Sequence, residues 1–339
     1  MTLLLPAVLS FIATFLLVLF VKSYMAESGV VAIDHNKKGE PVLPSGCGVA
    51  AAMGFTIGIL VYAFGSSFNV YTPVASLVTL FALALSVVLV SLVGLIDDIN
   101  VKSSPVKTTD MSDTRKGLKQ WQKPVMTLLG AIPLIAINAG HSTILLPFIG
   151  TVNLGIAYPL IVIPLAVIFT ANAFNLLGGF DGIATGTGLI AAIALLLYSV
   201  FLGTYTGALI SGVLVATMLV FFIFNIYPSK LIPGDSFTYF VGTALVADMI
   251  IGNMEAFGLI VFAPWIIEFI LHARKKFKVT DLGKPRKDMT MEPPYGKKIY
   301  SWTHLIMNLK RCKEWEVSLY MWLVEIVFVV IAFAVVLMR

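Results

Sequence analysis

Side chains that could carry out chemistry cluster at four points of this chain, each at the end of a long apolar stretch. The first point is the adjacent pair Asp97 and Asp98 in the segment GLIDDIN. Two carboxylates where a helix leaves a membrane repel each other and are costly to desolvate. The pair could therefore bind a metal or a phosphate, or act as a general base. It could equally be two solvated residues at a helix end, and the pattern alone leaves both interpretations open.

The second point is the segment TANAFNLLGGFDGIATG, which joins two apolar stretches. Asn172 and Asn175 are three residues apart and would share one face of a helix. The glycines that follow permit a tight turn, which would bring Asp181 back toward the two carboxamides. Such a group of oxygen ligands suits a hard cation and a nucleotide. The alternative is polar contact between helices followed by an ordinary turn.

The third and fourth points are a lone aspartate and a basic segment. Asp235 follows a Pro-Gly turn in YPSKLIPGDSFTYF, where its carboxylate could simply cap the helix that begins there. Residues 274–313 contain twelve Lys and Arg residues. Because one site needs far fewer, most of them are explained by membrane orientation. Arg286, in KPRKD, is the best candidate there for a two-pronged contact with phosphate.

The elements that must position these residues are membrane-spanning helices. The chain is 58% hydrophobic and only 12% charged, with a mean hydropathy of +0.94, which is typical of an integral membrane protein. Apolar stretches of bilayer-spanning length predict an all-α polytopic membrane protein with about ten transmembrane helices. The predicted spans are Leu3–Val21, Gly46–Phe64, Ser76–Ile96, Pro124–Ala139, Tyr158–Leu176, Ile183–Gly203, Thr206–Ile226, Thr238–Met254, Ala256–His272 and Val317–Met338.

The positive charges predict how these helices are oriented. Of the 23 Lys and Arg residues, all but Arg339 fall in alternate connections. Since positively charged loops stay in the cytoplasm, both termini should lie outside and all four clusters should face the cytoplasm. The net charge of +5 therefore reports orientation and does not indicate binding of nucleic acid. The predicted cytoplasmic loops, within a single domain of residues 1–339, are 22–45, 97–123, 177–182, 227–237 and 273–316.

One external connection has a different pattern from the rest. His141–Gly155 carries β-branched residues on either side of Gly150, which predicts a short β-hairpin with its turn at that glycine. An inverted internal repeat of the kind found in many transporters is not visible in the sequence.

Taken together, these segments resemble the polyprenyl-phosphate N-acetylhexosamine-1-phosphate transferase family over nearly the whole chain. The specific resemblance is to its eukaryotic and archaeal branch, the dolichyl-phosphate N-acetylglucosamine phosphotransferases. In that branch an Asp-Asp pair ends the third span and an Asn-x-x-Asn turn joins spans five and six. A Tyr-Pro-Ser…Gly-Asp-(Ser/Thr)-Phe segment precedes span eight, and a Pro-Arg loop follows span nine. All four occur here in that order, together with the loop DHNKKGEPVLPSG after the first span.

The resemblance implies a role for each candidate residue. Asn175 and Asp235 would hold Mg²⁺, with Mn²⁺ as an alternative cofactor. Asp97 and Asp98 would be the catalytic residues that serve the acceptor phosphate. The remaining candidates would bind the nucleotide sugar or its phosphates: Asp34, Lys123, Asn172, Asp181 and Arg286.

Three features depart from the family's patterns. The loop between the last two spans lacks the His-rich signature of bacterial members, which argues against the muramoyl-pentapeptide transferase subfamily. Val101 stands where the bacterial Asp-Asp-x-x-Asp pattern has its third carboxylate, whereas Asp181 is closer to the bacterial form. Residues 102–122 form a longer segment before Lys123 than is usual in the family.

The activity that the resemblance implies is transfer of N-acetylglucosamine-1-phosphate, or a related N-acetylhexosamine-1-phosphate, from a UDP-sugar to a polyprenyl or dolichyl phosphate. UMP would be released, and the reaction would be the first step of lipid-linked glycan assembly. The expected partners are a UDP-N-acetylhexosamine, the lipid phosphate, the membrane and a second copy of the chain in a homodimer. The compact chain favours the plasma membrane of an archaeon over the endoplasmic reticulum.

A secondary transporter or lipid flippase is the main alternative. Asp248, Glu268 and Glu325 fall within or near predicted spans and could act as relay carboxylates. Transporters, however, place their sites near the middle of the membrane, whereas the polar clusters here lie at one edge. A phosphotransferase of the CDP-alcohol type is excluded, because IATG follows Asp181-Gly182 where that family has Ala-Arg.

Overall fold

The computed structural model describes residues 3–71, 73–99, 117–146 and 150–338, and most of them are helical. Within these residues a 3-10 turn, Leu128–Gly130, joins α4 to α5, and a π-helical turn, Tyr158–Val162, precedes α6. The α-helices are α1 (Leu4–Glu27), α2 (Gly48–Ser67), α3 (Leu77–Ile99), α4 (Gln122–Thr127), α5 (Ala131–Ala136), α6 (Ile163–Asn175), α7 (Ile183–Leu202), α8 (Tyr205–Asn225), α9 (Asp235–Ile251), α10 (Glu255–Val261), α11 (Ala263–Ala273), α12 (Trp302–Leu309) and α13 (Glu314–Leu337).

Helical structure occurs at each of the ten predicted spans, which confirms an all-α polytopic architecture. Seven helical stretches of the described chain are long and apolar enough to cross a membrane, and α10 with α11 makes an eighth if the pair is one bent span. The stretch Gln122–Ala136 and helix α9 are shorter. The count of ten spans and the position of both termini outside therefore stay predictions.

Helix α9 lies at the centre of the bundle, with residues 236–250 all buried, as expected for a helix that is apolar on every side. Helices α3 and α6 pack against it at close range. A methyl group on Gly94 of α3 would lie 2.4 Å from the carbonyl carbon of Asp235, and one on Gly242 of α9 would lie 2.5 Å from the carbonyl oxygen of Thr170. Gly94 therefore lets the end of α3 approach the start of α9, and Gly242 lets α9 approach α6.

Helices α10 and α11 meet at a bend of 56°. Pro264 lies in the first turn of α11, and a proline there cannot donate the hydrogen bond that would continue the preceding helix. Helix α11 ends at Ala273, where the basic segment of residues 274–313 begins.

Three antiparallel hairpins connect helices in the described residues. They are β1 (Val31–Ile33) with β2 (Val42–Pro44), β3 (Thr143–Leu146) with β4 (Gly150–Asn153), and β5 (Lys284–Pro285) with β6 (Met291–Glu292).

The predicted hairpin is confirmed as β3–β4, but the prediction of its turn at Gly150 is wrong. Gly150 is the first residue of β4 and pairs with Leu146, so the connection is made by residues 147–149, which lie outside the described part. The other two hairpins were not expected, because strands of two or three residues leave too little alternating pattern. Val101 and most of the 102–122 segment also lie outside the described residues.

Candidate active site

One lysine joins the ends of three helices. The Lys123 ammonium on α4 donates to Asp97 Oδ2 on α3 at 3.0 Å and to Asp235 Oδ2 on α9 at 2.6 Å. Asp97 accepts a further hydrogen bond from the backbone N–H of Leu118. We call four of these neighbouring residues the Lys123 cluster: Asp97, Asp98, Lys123 and Asp235. The structure therefore brings three predicted carboxylates and the predicted phosphate-binding lysine to one place.

Asp98 has a different environment from its neighbour in the sequence. It is only 1% exposed, and its two carboxylate oxygens accept hydrogen bonds from the backbone N–H groups of Asp235 at 2.8 Å and Ser236 at 3.0 Å. Asp98 thus caps the N-terminus of α9, where a negative charge also interacts favourably with the helix dipole. The cap comes from α3, and Asp235 does not cap its own helix.

The two asparagines lie on the side of α6 that faces this cluster. Asn175 Oδ1 accepts a hydrogen bond from Thr238 Oγ1 at 2.9 Å, and Thr238 is three residues after Asp235 in the first turn of α9. Asn172 donates through Nδ2 to Thr127 Oγ1 at 2.9 Å. Asn175 is therefore placed beside the start of α9, whereas Asn172 fastens α6 to α4.

A second lysine gathers three other carboxylates. Lys37, in the loop between β1 and β2, contacts Asp34, Asp181 Oδ2 at 2.5 Å and Glu314 Oε1 at 3.4 Å. Asp181 Oδ2 also accepts from the backbone N–H of Ser229 at 2.7 Å. Burial by itself lowers the pKa of Lys37, but the carboxylates of Glu314, Asp181 and Asp34 outweigh burial and raise that pKa above its ordinary value. The Lys37 cluster is Asp34, Lys37, Asp181 and Glu314.

A cavity of about 280 Å³, partly lined by polar groups, lies against the Lys37 cluster, and Asp34 and Asp181 are among its lining residues. Pro233 lines this cavity and is two residues before Asp235, so the same connection serves the cavity and the Lys123 cluster. The other lining residues come from the β1–β2 loop, the glycine turn after α6, the end of α8 and the basic segment: Ile33, Asp34, His35, Asn36, Gly178, Gly179, Phe180, Asp181, Asn225, Ile232, Thr280 and Leu282.

Arg286 belongs to neither lysine cluster. Its Nε is 3.3 Å from Glu292 Oε2, and its backbone N–H donates to the carbonyl oxygen of Thr290, so its contacts belong to the β5–β6 hairpin. The role of Arg286 on a diphosphate remains a prediction.

Both clusters have the composition of a cation site. Each contains three carboxyl groups and one ammonium group, so the acidic groups outnumber the basic one. Oxygen ligands of this kind suit Mg²⁺. In the Lys123 cluster, the amide oxygen of Asn175 lies next to α9 as a neutral ligand. In the other cluster, carboxylate oxygens of Asp34, Asp181 and Glu314 lie within 4.8 Å of one another. The residues therefore fit a divalent cation, and the structure provides a second candidate position for it.

Lys37 and Glu314 were missed as functional residues. Lys37 was counted only among the orienting charges, although its spacing of three from Asp34 was a local signal for an ion pair. Glu314 carried no signal, since an acidic residue in the first turn of a helix is common. It is nevertheless 3% exposed, and its Oε2 has no hydrogen-bond partner among the described residues.

The three carboxylates considered for a transporter are all fully buried in helices: Asp248, Glu268 and Glu325. Glu268 accepts a hydrogen bond from the backbone N–H of Trp302 at 2.9 Å and lies 3.0 Å from His272 Nε2. This residue therefore fastens α11 to α12, which is a structural contact.

Comparison with known proteins agrees with this geometry. The family model described as glycosyl transferase family 4 matches residues 80–253, which include the whole Lys123 cluster. A putative UDP-N-acetylglucosamine–dolichyl-phosphate N-acetylglucosaminephosphotransferase of Saccharolobus solfataricus is 34% identical, across 98% of this chain and 96% of its own length.

Two further relatives carry similar names. A putative enzyme of the same name from Sulfolobus acidocaldarius is 30% identical over 97% of this chain and 94% of its own length. The UDP-N-acetylglucosamine–dolichyl-phosphate N-acetylglucosaminephosphotransferase of Dictyostelium discoideum is 22% identical over 80% of this chain and 72% of its own length. A family model that matches half of the chain, and relatives aligned over almost all of it, show that this chain belongs to glycosyl transferase family 4.

Proposed function

We propose that the protein transfers N-acetylglucosamine-1-phosphate from UDP-N-acetylglucosamine to a polyprenyl phosphate, which we infer is dolichyl phosphate. This would be the first step in assembling a lipid-linked glycan. The names of the full-length relatives support the proposal. The observation that carries it is the Lys123 cluster, where Asp97 and Asp235 share one ammonium group, and where Pro233, two residues before Asp235, lines a cavity.

The reaction needs an anionic nucleophile to approach an anionic electrophile. An oxygen of the lipid phosphate forms a bond to the β-phosphorus of UDP-N-acetylglucosamine, and the bond from that phosphorus to the oxygen bridging the two phosphates breaks. UMP leaves with that oxygen, and the product is a polyprenyl diphosphate that carries the sugar. Catalysis of such a transfer consists mainly of positioning and of neutralising charge.

Lys123 supplies part of that neutralisation. In the free protein its ammonium group is balanced by Asp97 and Asp235, and with substrate bound the same group would contact a phosphate oxygen. Asp97 is then the carboxylate placed to face the acceptor phosphate. Asp98 would act on the reaction indirectly, because it holds the first turn of α9 and hence Asp235.

Mg²⁺ is the proposed cofactor, with Mn²⁺ as a substitute, and Asp235 and Asn175 are its proposed ligands. A bound divalent cation would neutralise charge on the diphosphate. The neighbouring carboxylates of Asp97 and Asp235, and the amide oxygen of Asn175 beside the first turn of α9, support this assignment.

The nucleotide is proposed to enter the polar cavity beside the Lys37 cluster. Asp34 and Asp181 both line it, as expected for residues that bind the nucleotide sugar. A cavity of about 280 Å³ is small for a complete ligand site, so we assign it to the nucleoside part. The diphosphate would then extend past Pro233 toward Asp235.

The membrane arrangement completes the proposal. We infer ten spans with both termini outside and the site at the cytoplasmic face, because all Lys and Arg residues but Arg339 fall in alternate connections. The plasma membrane of an archaeon is the proposed location, because the chain is compact and similar to enzymes of Saccharolobus and Sulfolobus. A homodimer is also proposed and is tested by the mass of the purified protein in detergent.

The experiment that tests the function is an assay of UMP release. Purified protein is incubated with Mg²⁺, dolichyl phosphate and a panel of UDP-sugars, with the Asp235→Ala variant as the control. We expect UMP release with UDP-N-acetylglucosamine that depends on both the lipid phosphate and Asp235. Release that is absent with every UDP-sugar tested would contradict the proposal.

A further inference from the structure

One contact joins the basic segment to the glycine turn after α6. The carboxylate of Asp281 accepts hydrogen bonds from the backbone N–H of Gly179 at 2.7 Å and of Gly178 at 3.1 Å, both to Oδ2. Two adjacent backbone N–H groups form a small anion-binding site, and bonds to an ionised carboxylate are stronger than neutral ones. Here the chain fills that site with its own side chain.

The contact lies on the boundary of the nucleotide cavity. Gly178 and Gly179 line one side of it, and Thr280 and Leu282, the neighbours of Asp281, line another. The main chain on either side of Asp281 is therefore a wall of the cavity, and the carboxylate holds that wall against the glycine turn.

Further bonds make this attachment specific. Thr303 Oγ1, on α12, donates to the carbonyl oxygen of Asp281 at 2.6 Å. Asn36 donates to the carbonyl oxygen of Gly179 at 2.5 Å and accepts from the backbone N–H of Gly283 at 3.3 Å. Among these hydrogen bonds, the two that Asp281 accepts involve a carboxylate, whereas the others join neutral groups. The Asp281 pair should therefore contribute most to holding the basic segment against the glycine turn.

Gly179 fits the carboxylate closely. A methyl group at this position would lie 2.6 Å from Asp281 Oδ1, and its three nearest atoms all belong to that carboxylate. The backbone of Gly179 does not have a positive φ, so alanine is compatible with its conformation. A substitution there should therefore act through Asp281.

We propose that Asp281 is a positioning residue that holds the Thr280–Leu282 wall of the cavity in the conformation that binds the nucleotide. The inference rests on the proposed function, since it assumes that the nucleotide occupies this cavity. Asp281 itself need not touch the substrate. Its loss should weaken nucleotide binding while the chemical step, which takes place at the Lys123 cluster, keeps its rate.

The test is a double-mutant cycle on Asp281→Ala and Gly179→Ala, with UMP binding measured by calorimetry. We expect each single variant to bind UMP about tenfold to a hundredfold more weakly, with a raised KM for UDP-N-acetylglucosamine and a kcat close to wild type. Gly179→Ala should cause no further loss in the Asp281→Ala protein. Asp288→Ala, an exposed aspartate of the same segment, is the matched control and should bind as wild type.

Hydrogen exchange measures the contact itself. In Asp281→Ala the backbone N–H groups of Gly178 and Gly179 should exchange faster, while those of α9 should not change. Unaltered UMP affinity in Asp281→Ala, or additive losses in the double variant, would overturn the inference and leave the proposed function standing. Wild-type protein that does not bind UMP would contradict both.

Discussion

The two lysine clusters have the same composition but are built in different ways. Each contains one lysine and three carboxylates. The Lys123 cluster stands on the ends of α3, α4 and α9, and the family model covers all of it. The Lys37 cluster combines a hairpin loop, a turn and the first residue of α13, and the family model covers only Asp181.

The two clusters also differ in how deeply their side chains are buried. The Lys123 side chain is 24% exposed and that of Asp235 is 17% exposed, whereas the Lys37 side chain is 13% exposed and that of Glu314 is 3% exposed. Apart from the buried capping residue Asp98, the Lys123 cluster is therefore the more accessible of the two to a ligand. The more enclosed cluster is suited to hold the loops that form the cavity. Similar charge composition therefore does not imply the same role.

The largest effect should follow from Asp235→Ala. Removing this carboxylate takes away a proposed metal ligand and leaves the Lys123 ammonium with only Asp97, so we expect roughly a 1000-fold loss of UMP release or more. Asn175→Ala should lose less and should raise the Mg²⁺ concentration needed for half-maximal rate. Either variant working at the wild-type rate in limiting Mg²⁺ would show that the ligand assignment is wrong.

The adjacent pair should respond unequally. Asp97→Asn removes a charge next to Lys123, and we expect roughly a 100-fold slower reaction with nearly unchanged melting temperature and UDP-sugar binding. Asp98→Asn turns an N–H donor toward the start of α9, so it should also lower the melting temperature by several degrees, because a buried cap is lost.

The measurements for this pair are thermal unfolding and UMP release at equal protein concentration. Equal destabilisation by both variants would contradict the division of roles between Asp97 and Asp98. A loss of nucleotide binding as large as the loss of rate would place both residues in the nucleotide site instead.

Arg286→Lys tests the basic segment. If the guanidinium contacts the diphosphate in a two-pronged way, an ammonium cannot reproduce that geometry. Losing such a contact costs about 2–3 kcal/mol, which corresponds to a drop in rate of roughly 30- to 160-fold. Lys298→Gln is the control and should change little. Similar UMP release by the two variants would limit the charge of this segment to orientation and lipid contact.

The smallest effect should come from Lys37→Met. Because this lysine contacts Asp34 and Asp181, which line the cavity, we expect roughly a tenfold higher KM for the UDP-sugar, with the Mg²⁺ requirement unchanged. Lys38→Met, which alters the exposed neighbouring lysine, should behave as wild type. A changed Mg²⁺ requirement in Lys37→Met would mean that the two clusters do not have separate roles.

The pH dependence of this contact follows from the raised pKa of Lys37. A raised pKa means that folding favours the protonated form. The contribution of Lys37 should therefore be complete below the ordinary pKa of a lysine and be lost as the pH rises from there through the raised value. KM for the UDP-sugar, measured from neutral to mildly alkaline pH, should show no titration of Lys37.

The carboxylates of the Lys123 cluster could be predicted because they lie at the ends of apolar stretches, whereas Lys123 was identified only through the family resemblance. Hydropathy predicted where the helices lie in the sequence. The motifs at their ends then predicted that Asp97, Asn175 and Asp235 lie at one edge of the membrane. The division of labour between Asp97 and Asp98 was not predictable, since it depends on how closely Gly94 lets α3 approach α9.

The Lys37 cluster could not be predicted in the same way. Lys37 and Glu314 are 277 residues apart, and their meeting depends on how a loop folds over the bundle. The many Lys and Arg residues in the loops predicted to be cytoplasmic concealed Lys37 among charges expected to orient the protein. Asp281 was missed for a similar reason, because its partners are backbone N–H groups, which have no sequence signal.

The most direct test of the account is to determine which of the two clusters binds a divalent cation. Mn²⁺ is titrated into wild type, Asp235→Ala and Glu314→Gln in the presence of UMP, and bound metal is measured by the loss of the free Mn²⁺ signal in electron paramagnetic resonance. We predict that wild type and Glu314→Gln bind one Mn²⁺ with similar affinity and that Asp235→Ala loses it. Retention of Mn²⁺ by Asp235→Ala together with its loss in Glu314→Gln would place the metal in the Lys37 cluster and contradict the account.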